Sequence, residues 1–116
     1  MKYTEVKAML DYIKSTYNVP YTYYSFPEKE APDLPYITFY YPSSSNIPAS
    51  DGVYQKVEAL TIELYTENKD FALEANVESA LETYGIVWDK SEDYIQSEHM
   101  FMITYETEIY IDGEQD

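Results

Sequence analysis

The chain has 116 residues, the size of one domain, and carries 22 acidic against 7 basic residues, for a formal charge of −15. All basic residues are lysines and cysteine is absent, which excludes an arginine fork for phosphate, a disulfide framework and a zinc–thiolate site. The acidic balance also argues against a nucleic-acid surface, because such surfaces need clustered positive charge. We therefore expect a single domain over residues 1–116 without direct nucleic-acid recognition.

The amino-terminal segment predicts an amphipathic helix over Tyr3–Tyr17, ended by Asn18 and Pro20. Its apolar residues recur three and four apart on one face: Tyr3, Val6, Leu10, Ile13 and Tyr17. Charged residues interrupt this segment, so it lacks the apolar block of a signal peptide or a membrane span. We expect a soluble protein that has no membrane partner and is made in the cytoplasm.

Two aromatic segments follow that predict strands. Residues 21–26 are short and bounded by prolines, which favours a strand at a sheet edge. After a loop over 27–35, residues 36–41 form a second strand, with Ile37, Phe39 and Tyr41 on the face expected to be buried.

Residues 42–52 are dense in Ser, Pro, Asn, Asp and Gly, which predicts a mobile hairpin loop. Ile47 lies within this segment without a local reason to be buried, and binding residues are common on such loops. The loop therefore remains a candidate for contact between subunits. The strand after it, 53–66, is expected to pair antiparallel with 36–41.

The clearest pattern lies at 57–85, a strand followed by a helix. Leu60, Ile62 and Leu64 alternate with polar residues, the period of a half-buried strand. Over 69–84 the spacing becomes helical, and Gly85 ends the helix because glycine adopts the left-handed conformation readily. The predicted helical stripe comprises Leu73, Val77, Ala80, Leu81 and Tyr84.

The carboxyl-terminal part predicts a short strand over 86–90, a turn over 91–93 and a long strand over 98–111. The last strand exceeds the usual length, so we expect either a bulge within it or an end that projects to meet another subunit. Residues 112–116 form a polar tail that we expect to be frayed. The fold class is α+β: a mostly antiparallel sheet with two helices packed on one face, in the order α-β-β-β-α-β-β. The opposite face is expected to be rich in tyrosine and acidic residues.

Candidate catalytic groups are weak. His99 is the only histidine and has no accompanying nucleophile motif, while Glu106 and Glu108 share a strand face that is expected to be solvated. Three glycines cannot form a glycine-rich phosphate loop. We expect a protein that is not an enzyme and has no catalytic, cofactor-binding or metal site. The 15 tyrosines favour a half-buried sheet, or else an assembly surface.

Nearly the whole chain resembles the small tail-completion and head–tail joining proteins of long-tailed bacteriophages, especially those of prophages in Gram-positive bacteria. The residues that carry this resemblance are Tyr54-Gln55-Lys56, Ile62-Glu63-Leu64-Tyr65-Thr66, Lys69-Asp70, Glu74, Val77, Glu78, Leu81, Tyr94-Ile95, Ser97-Glu98 and Tyr105-Glu106. Such proteins are similar in fold to tail terminators. The resemblance implies a virion part that forms a hexameric ring between the tail-tube protein and the head connector.

The resemblance implies no catalytic residues. Two other functions remain open: an acidic monomeric binding protein, such as a DNA mimic or an inhibitor of a basic partner, and a small enzyme that uses paired carboxylates. Under the virion hypothesis, the candidate assembly contacts are Ser44, Asn46, Ile47, Asp51, Tyr54 and Tyr110.

Overall fold

A computed structural model describes residues 1–48, 52 and 54–112 and has the predicted α+β fold. The elements in this part of the chain are α1 (Tyr3–Tyr17), β1 (Tyr21–Tyr23), β2 (Tyr36–Tyr40), β3 (Ile47–Pro48), β4 (Tyr54–Thr66), α2 (Phe71–Thr83), β5 (Asp89–Ile95) and β6 (Met100–Ile111). A 3₁₀ turn over Gln96–Glu98 joins the last two strands. The order matches the prediction, except that the predicted loop 42–52 contains the short strand β3.

Both helices occupy the expected positions because their ends have suitable residues. The helix α1 ends at Asn18, whose φ of 58° is left-handed. At the start of α2, the Asp70 carboxylate accepts a hydrogen bond from the Leu73 N–H at 3.0 Å, which caps the first turn. Gly85 follows α2 with a φ of +73°, and the next N–H, of Ile86, bonds back to the Leu81 carbonyl.

The strands form one mixed sheet in the order β1-β2-β4-β6-β5, with β3 paired to β4. The predicted antiparallel pairing of β2 with β4 is confirmed, with Ile37 opposite Leu64. The first strand lies at a sheet edge, as predicted, but pairs parallel to β2 and ends at Tyr23. Tyr24 has a φ of 66°, which is incompatible with a continued strand.

The core lies between the two helices and one face of the sheet. Val6, Leu10 and Ile13 of α1 are buried, and Met9, which the predicted stripe did not include, is buried with them. The remaining core side chains come from both ends of the sheet and from α2: Ile37, Phe39, Leu60, Ile62, Leu64, Leu73, Val77, Ala80, Leu81, Ile103, Tyr105, Ile109 and Ile111. The period-2 and period-3.6 patterns therefore identified the buried faces correctly.

The segment after α2 corrects the sequence prediction. The short strand over 86–90 and the turn over 91–93 are wrong, because β5 passes through 91–93 without a break. Ile86 is instead buried beneath the end of α2. The polar run resembles a turn because β5 is an edge strand with most of its side chains in water, one of which, Glu92, forms an ion pair with Lys69.

The long strand β6 has no bulge, so that predicted alternative is wrong. It pairs with β4 in one register, from Lys56 opposite Ile111 to Thr66 opposite Phe101. The bulge lies instead beside β4, where the register shifts by one residue between the end of β2 and Ser44.

Part of the predicted loop 42–52 continues along β4 beyond this bulge. The Ala59 N–H donates to the Ser43 carbonyl at 2.8 Å, and the Ser45 N–H donates to the Val57 carbonyl at 2.9 Å. Residues 43–48 are therefore attached to β4 by backbone hydrogen bonds. The mobility of the hairpin loop stays a prediction, as does the frayed tail, of which residues 113–116 lie outside the described part.

The sheet consequently has two unequal ends in a molecule whose longest extent is 52 Å. At the broad end, residues 61–66 of β4 and 100–106 of β6 are flanked by β2 with β1 on one side and by β5 on the other. At the narrow end, residues 54–60 and 107–111 of the same two strands are flanked, within the described part of the chain, by residues 43–48 on one side and by Met1 and Val87 on the other.

Candidate functional site

The narrow end brings together the candidate assembly residues that the structure describes. They come from three separate stretches of the chain: Ser44, Asn46 and Ile47 beside β4, Tyr54 at its start, and Tyr110 near the end of β6. The sixth candidate, Asp51, lies outside the described residues. Only the pairing of β3, β4 and β6 makes these stretches neighbours.

Two of these residues lie on the sheet face opposite the helices, the outer face. Ile47 is opposite Gln55 and Tyr110 is opposite Val57, and all four side chains point to this side by the alternation of the strands. Ile47 is 49% exposed and Tyr110 is 56% exposed, whereas Val57 between their strands is buried. The outer face thus carries two exposed apolar side chains across the width of the narrow end.

The other candidates do not join this pair. By register, Ser44 lies opposite Glu58 and Tyr54 opposite Pro48, which places both on the helix side. Asn46 has a structural role, because its Oδ1 accepts the Val57 N–H at 3.3 Å in place of a backbone carbonyl. The candidates therefore divide between two faces.

At the broad end, the outer face centres on Glu63. Its carboxylate accepts hydrogen bonds from the hydroxyls of Thr38 at 3.0 Å, Tyr65 at 3.0 Å and Tyr40 at 3.4 Å. Burial, with the Glu63 charge beside it, raises the pKa of Tyr65 to about 12, so this hydroxyl remains a donor at neutral pH. The cluster agrees with the expected tyrosine-rich and acidic outer face.

An open aromatic groove of about 270 Å³ adjoins this cluster and is lined by Tyr24, Phe26, Tyr36, Tyr65 and Met100 among others. The Tyr36 ring lies 5.1 Å from the Tyr65 ring and 5.2 Å from the Phe26 ring, centroid to centroid. The rings pack against one another, which accounts for the half-buried state of Tyr36 and Tyr65.

A second charged cluster fixes α2 to the sheet. The Glu74 carboxylate is 2% exposed and lies 2.7 Å from Lys69 Nζ and 2.8 Å from Lys90 Nζ. Lys90 Nζ also lies 2.7 Å from Glu78, which accepts the Tyr105 hydroxyl at 2.8 Å. Burial acts to raise the pKa of Glu74, but both lysines outweigh it and hold the pKa below its ordinary value of 4.5. With Glu92, which also pairs with Lys69, the cluster has three carboxylates and two ammonium groups and joins α2 to β5.

Sequence reasoning missed the Glu74 cluster. Glu74 follows Leu73 on the helix, and only its burial distinguishes it from the many exposed carboxylates. Lys90 lies in the segment whose strand was placed incorrectly, so the sequence offered no reason to bring the two together. The sequence gives a weak indication of the Glu63 cluster, because Tyr36, Thr38 and Tyr40 alternate with the buried residues Ile37 and Phe39.

The weak catalytic candidates lie apart from these clusters. His99 is exposed at the end of the 3₁₀ turn, with a left-handed φ of 51°. Glu106 and Glu108 are exposed on the outer face, as expected for a solvated acidic surface. Within the described residues, no group of three or more His, Asp or Glu side chains is placed to hold a metal ion. The absence of enzymatic activity stays a prediction.

Comparison with protein-family models and with curated protein sequences finds no match to this chain. Neither described helix combines the length and the apolar character that a membrane crossing requires.

Proposed function

We propose that this protein is a non-enzymatic virion subunit of a long-tailed phage or prophage, which completes the tail or joins it to the head. It acts by assembling into a ring, with the tail-tube protein and the head connector as its partners. The narrow end of the sheet is the element that makes these contacts.

The observation that carries this proposal is the exposure of large apolar side chains at the narrow end. Ile47, Tyr54 and Tyr110 are each about half exposed or more, although the strands that bear them are paired through the backbone. Paired strands with exposed aromatic and aliphatic side chains are typical of protein interfaces. Backbone pairing suits a ring, because each subunit must meet the next at the same angle.

The acidic surface favours the second candidate function, a monomeric inhibitor of a basic partner. Glu106, Glu108 and Asp89 lie close together on one groove, and the chain has a net charge of −15. A monomeric inhibitor would bind its target with an affinity that falls steeply with salt, whereas apolar ring contacts would be less sensitive.

The two functions are separated by electron microscopy and mass measurement of the purified chain, alone and with isolated tail tubes of the phage that carries its gene. We expect hexameric rings at the ends of the tubes. A chain that stays monomeric and leaves the tube ends bare would refute the virion function.

A matched pair of triple variants locates the contact. The variant I47S/Y54S/Y110S should fold but fail to form rings, because it removes the apolar contacts of the narrow end. The control Y12S/Y24S/F71S removes three similarly exposed side chains elsewhere and should assemble normally. Equal assembly by both variants would place the interface away from the narrow end.

A further inference from the structure

One edge of the narrow end is open. At the broad end, the outward-facing backbone groups of β6 bond to β5, but β5 stops opposite Glu106. The alternation of the ladder directs the N–H and C=O of Glu108 and the N–H of Tyr110 away from β4. Among the described residues, none of these three groups has a backbone partner, although the Glu108 carbonyl accepts the Thr107 hydroxyl at 3.4 Å. They form a short unoccupied position for another strand.

The adjoining groups of this edge already bind main chain. The amino group of Met1 donates to the Tyr110 carbonyl at 2.8 Å, and the Asp112 N–H donates to the Met1 carbonyl at 3.0 Å. At the other limit, the Thr107 hydroxyl donates to the Val87 carbonyl at 2.5 Å. The open position is thus a short gap on β6 between Met1 at one limit and Val87 at the other.

Two grooves of different chemistry border this position. The groove on the outer face, of about 420 Å³, has the three carboxylates of Asp89, Glu106 and Glu108 in its lining. The groove toward the helices, of about 370 Å³, is of mixed polarity but more apolar than the outer groove, and Tyr84 and Ile109 are among its lining residues.

The nearest lysines do not neutralise the acidic groove. Lys90 Nζ lies against Glu74 on the helix side, and Lys56 Nζ lies 5.5 Å from the centre of the Tyr3 ring. Successive side chains of an added strand point to opposite faces, so they would enter the acidic groove and the more apolar groove alternately.

We propose that the edge of β6 at Glu108 binds an extended segment of a different protein in which Lys or Arg alternates with apolar residues. The partner adds as a strand, with its basic side chains in the groove of Glu106 and Glu108 and its apolar side chains against Ile109. A second copy of this chain does not supply such a segment, because no lysine here is followed two positions later by another, and arginine is absent.

The inference rests on the proposed function in one respect only, namely that the narrow end is the docking element. It names the chemistry of the partner that docks there, which the ring contacts do not specify.

The test is titration of the isotopically labelled full chain with the peptide acetyl-Lys-Val-Lys-Val-Lys-amide, followed by NMR. The amide signals of Glu108 and Tyr110 should shift, and their hydrogen exchange should slow as the new hydrogen bonds form. The peptide acetyl-Glu-Val-Glu-Val-Glu-amide should not bind. Exchange rates unchanged by the lysine peptide, or equal binding of both peptides, would overturn the proposal.

A matched pair of variants isolates the backbone contact. Glu108→Ala and Glu108→Pro both remove the carboxylate, but only proline also removes the N–H. Since that N–H has no backbone partner in the described fold, proline is compatible with this edge position. We expect Glu108→Pro to bind the lysine peptide at least about tenfold more weakly than Glu108→Ala. Equal affinity of the two variants would refute strand addition, and the exchange data on the unmodified chain remain decisive if the proline variant fails to fold.

The two proposals fail separately. A chain that caps tail tubes but does not bind the peptide refutes strand addition alone. A chain that binds the peptide but leaves tubes uncapped refutes the virion function alone.

Discussion

At the broad end, β4 and β6 lie within a five-stranded sheet, whereas at the narrow end β6 reaches an edge that no strand of the described residues covers. The contrast is clear in two cross-strand pairs. Ile62 and Tyr105 are both buried, while Val57 is buried beside a Tyr110 that is more than half exposed. One continuous ladder thus contributes buried side chains along its whole length, but it exposes contact surface on the outer face of the narrow end. Exposed side chains of the narrow end can then be changed with little loss of stability.

The largest effect should come from the core of the broad end. Leu64→Ala removes a fully buried side chain and should lower the free energy of unfolding by about 3 kcal/mol, because it also leaves a cavity. Urea denaturation measures the difference. Val87→Ala is the control, since Val87 is 85% exposed and its truncation should change stability by less than about 0.5 kcal/mol. Similar losses in both variants would contradict the assigned core.

A smaller loss is expected from the charged cluster at the same end. Glu74→Ala leaves the ammonium groups of Lys69 and Lys90 without their shared partner, but both remain partly exposed and can be hydrated. The expected loss is about 2 kcal/mol, below that of a fully buried pair. Glu74→Gln keeps the shape of the side chain, so its stability should lie between that of Glu74→Ala and that of the unmodified chain. If Glu74→Ala leaves the free energy of unfolding unchanged, the cluster does not fix α2 to β5.

The lowered pKa of Glu74 predicts how the stability of the fold depends on pH. Because folding lowers the pKa of Glu74, its contribution is fully present above its ordinary pKa of 4.5 and is lost as the pH falls through the folded pKa. Denaturation curves recorded from neutral pH to about pH 3 should therefore show a shallower loss in Glu74→Gln than in the unmodified chain. If Glu74→Gln and the unmodified chain lose stability in parallel as the pH falls, the lowered pKa of Glu74 in the folded state is contradicted.

On the outer face, Glu63→Ala removes the shared acceptor of three hydroxyls. Tyr40 and Tyr65 can bond to water instead, but Thr38 is buried, so the expected loss is about 1 kcal/mol. The variant Glu63→Gln keeps an acceptor and should lose less. Thermal denaturation of the pair measures this difference, and a larger loss in the glutamine variant would be inconsistent with hydroxyl donors.

The smallest effect on stability belongs to the narrow end. Ile47→Ala should change the free energy of unfolding by less than about 0.5 kcal/mol, because half of this side chain is already in water. Ring formation on tail tubes, by contrast, should be weakened by Ile47→Ala. A loss of stability as large as that of Leu64→Ala would mean that Ile47 completes the core.

Periodicity predicted most of the fold correctly. The helix bounds of α1, the buried stripe from Leu73 to Leu81 and the alternation at Leu60, Ile62 and Leu64 all follow from local spacing. Such spacing is determined along the chain, because one face of each helix and strand must leave water. Edge strands carry no such requirement, which is why the polar β5 was read as a turn.

The sequence by itself determined most of the element types, the buried faces and the acidic charge, because each depends on residues that are close in the chain. Only the tertiary structure placed Ile47 and Tyr110 on one face of the narrow end, joined Lys90 to Glu74, and ended β5 opposite Glu106 so that the edge at Glu108 stays open. These features depend on which strands pair and where each pairing stops. Register between distant segments is set by the packing of the whole sheet, and no local pattern specifies it.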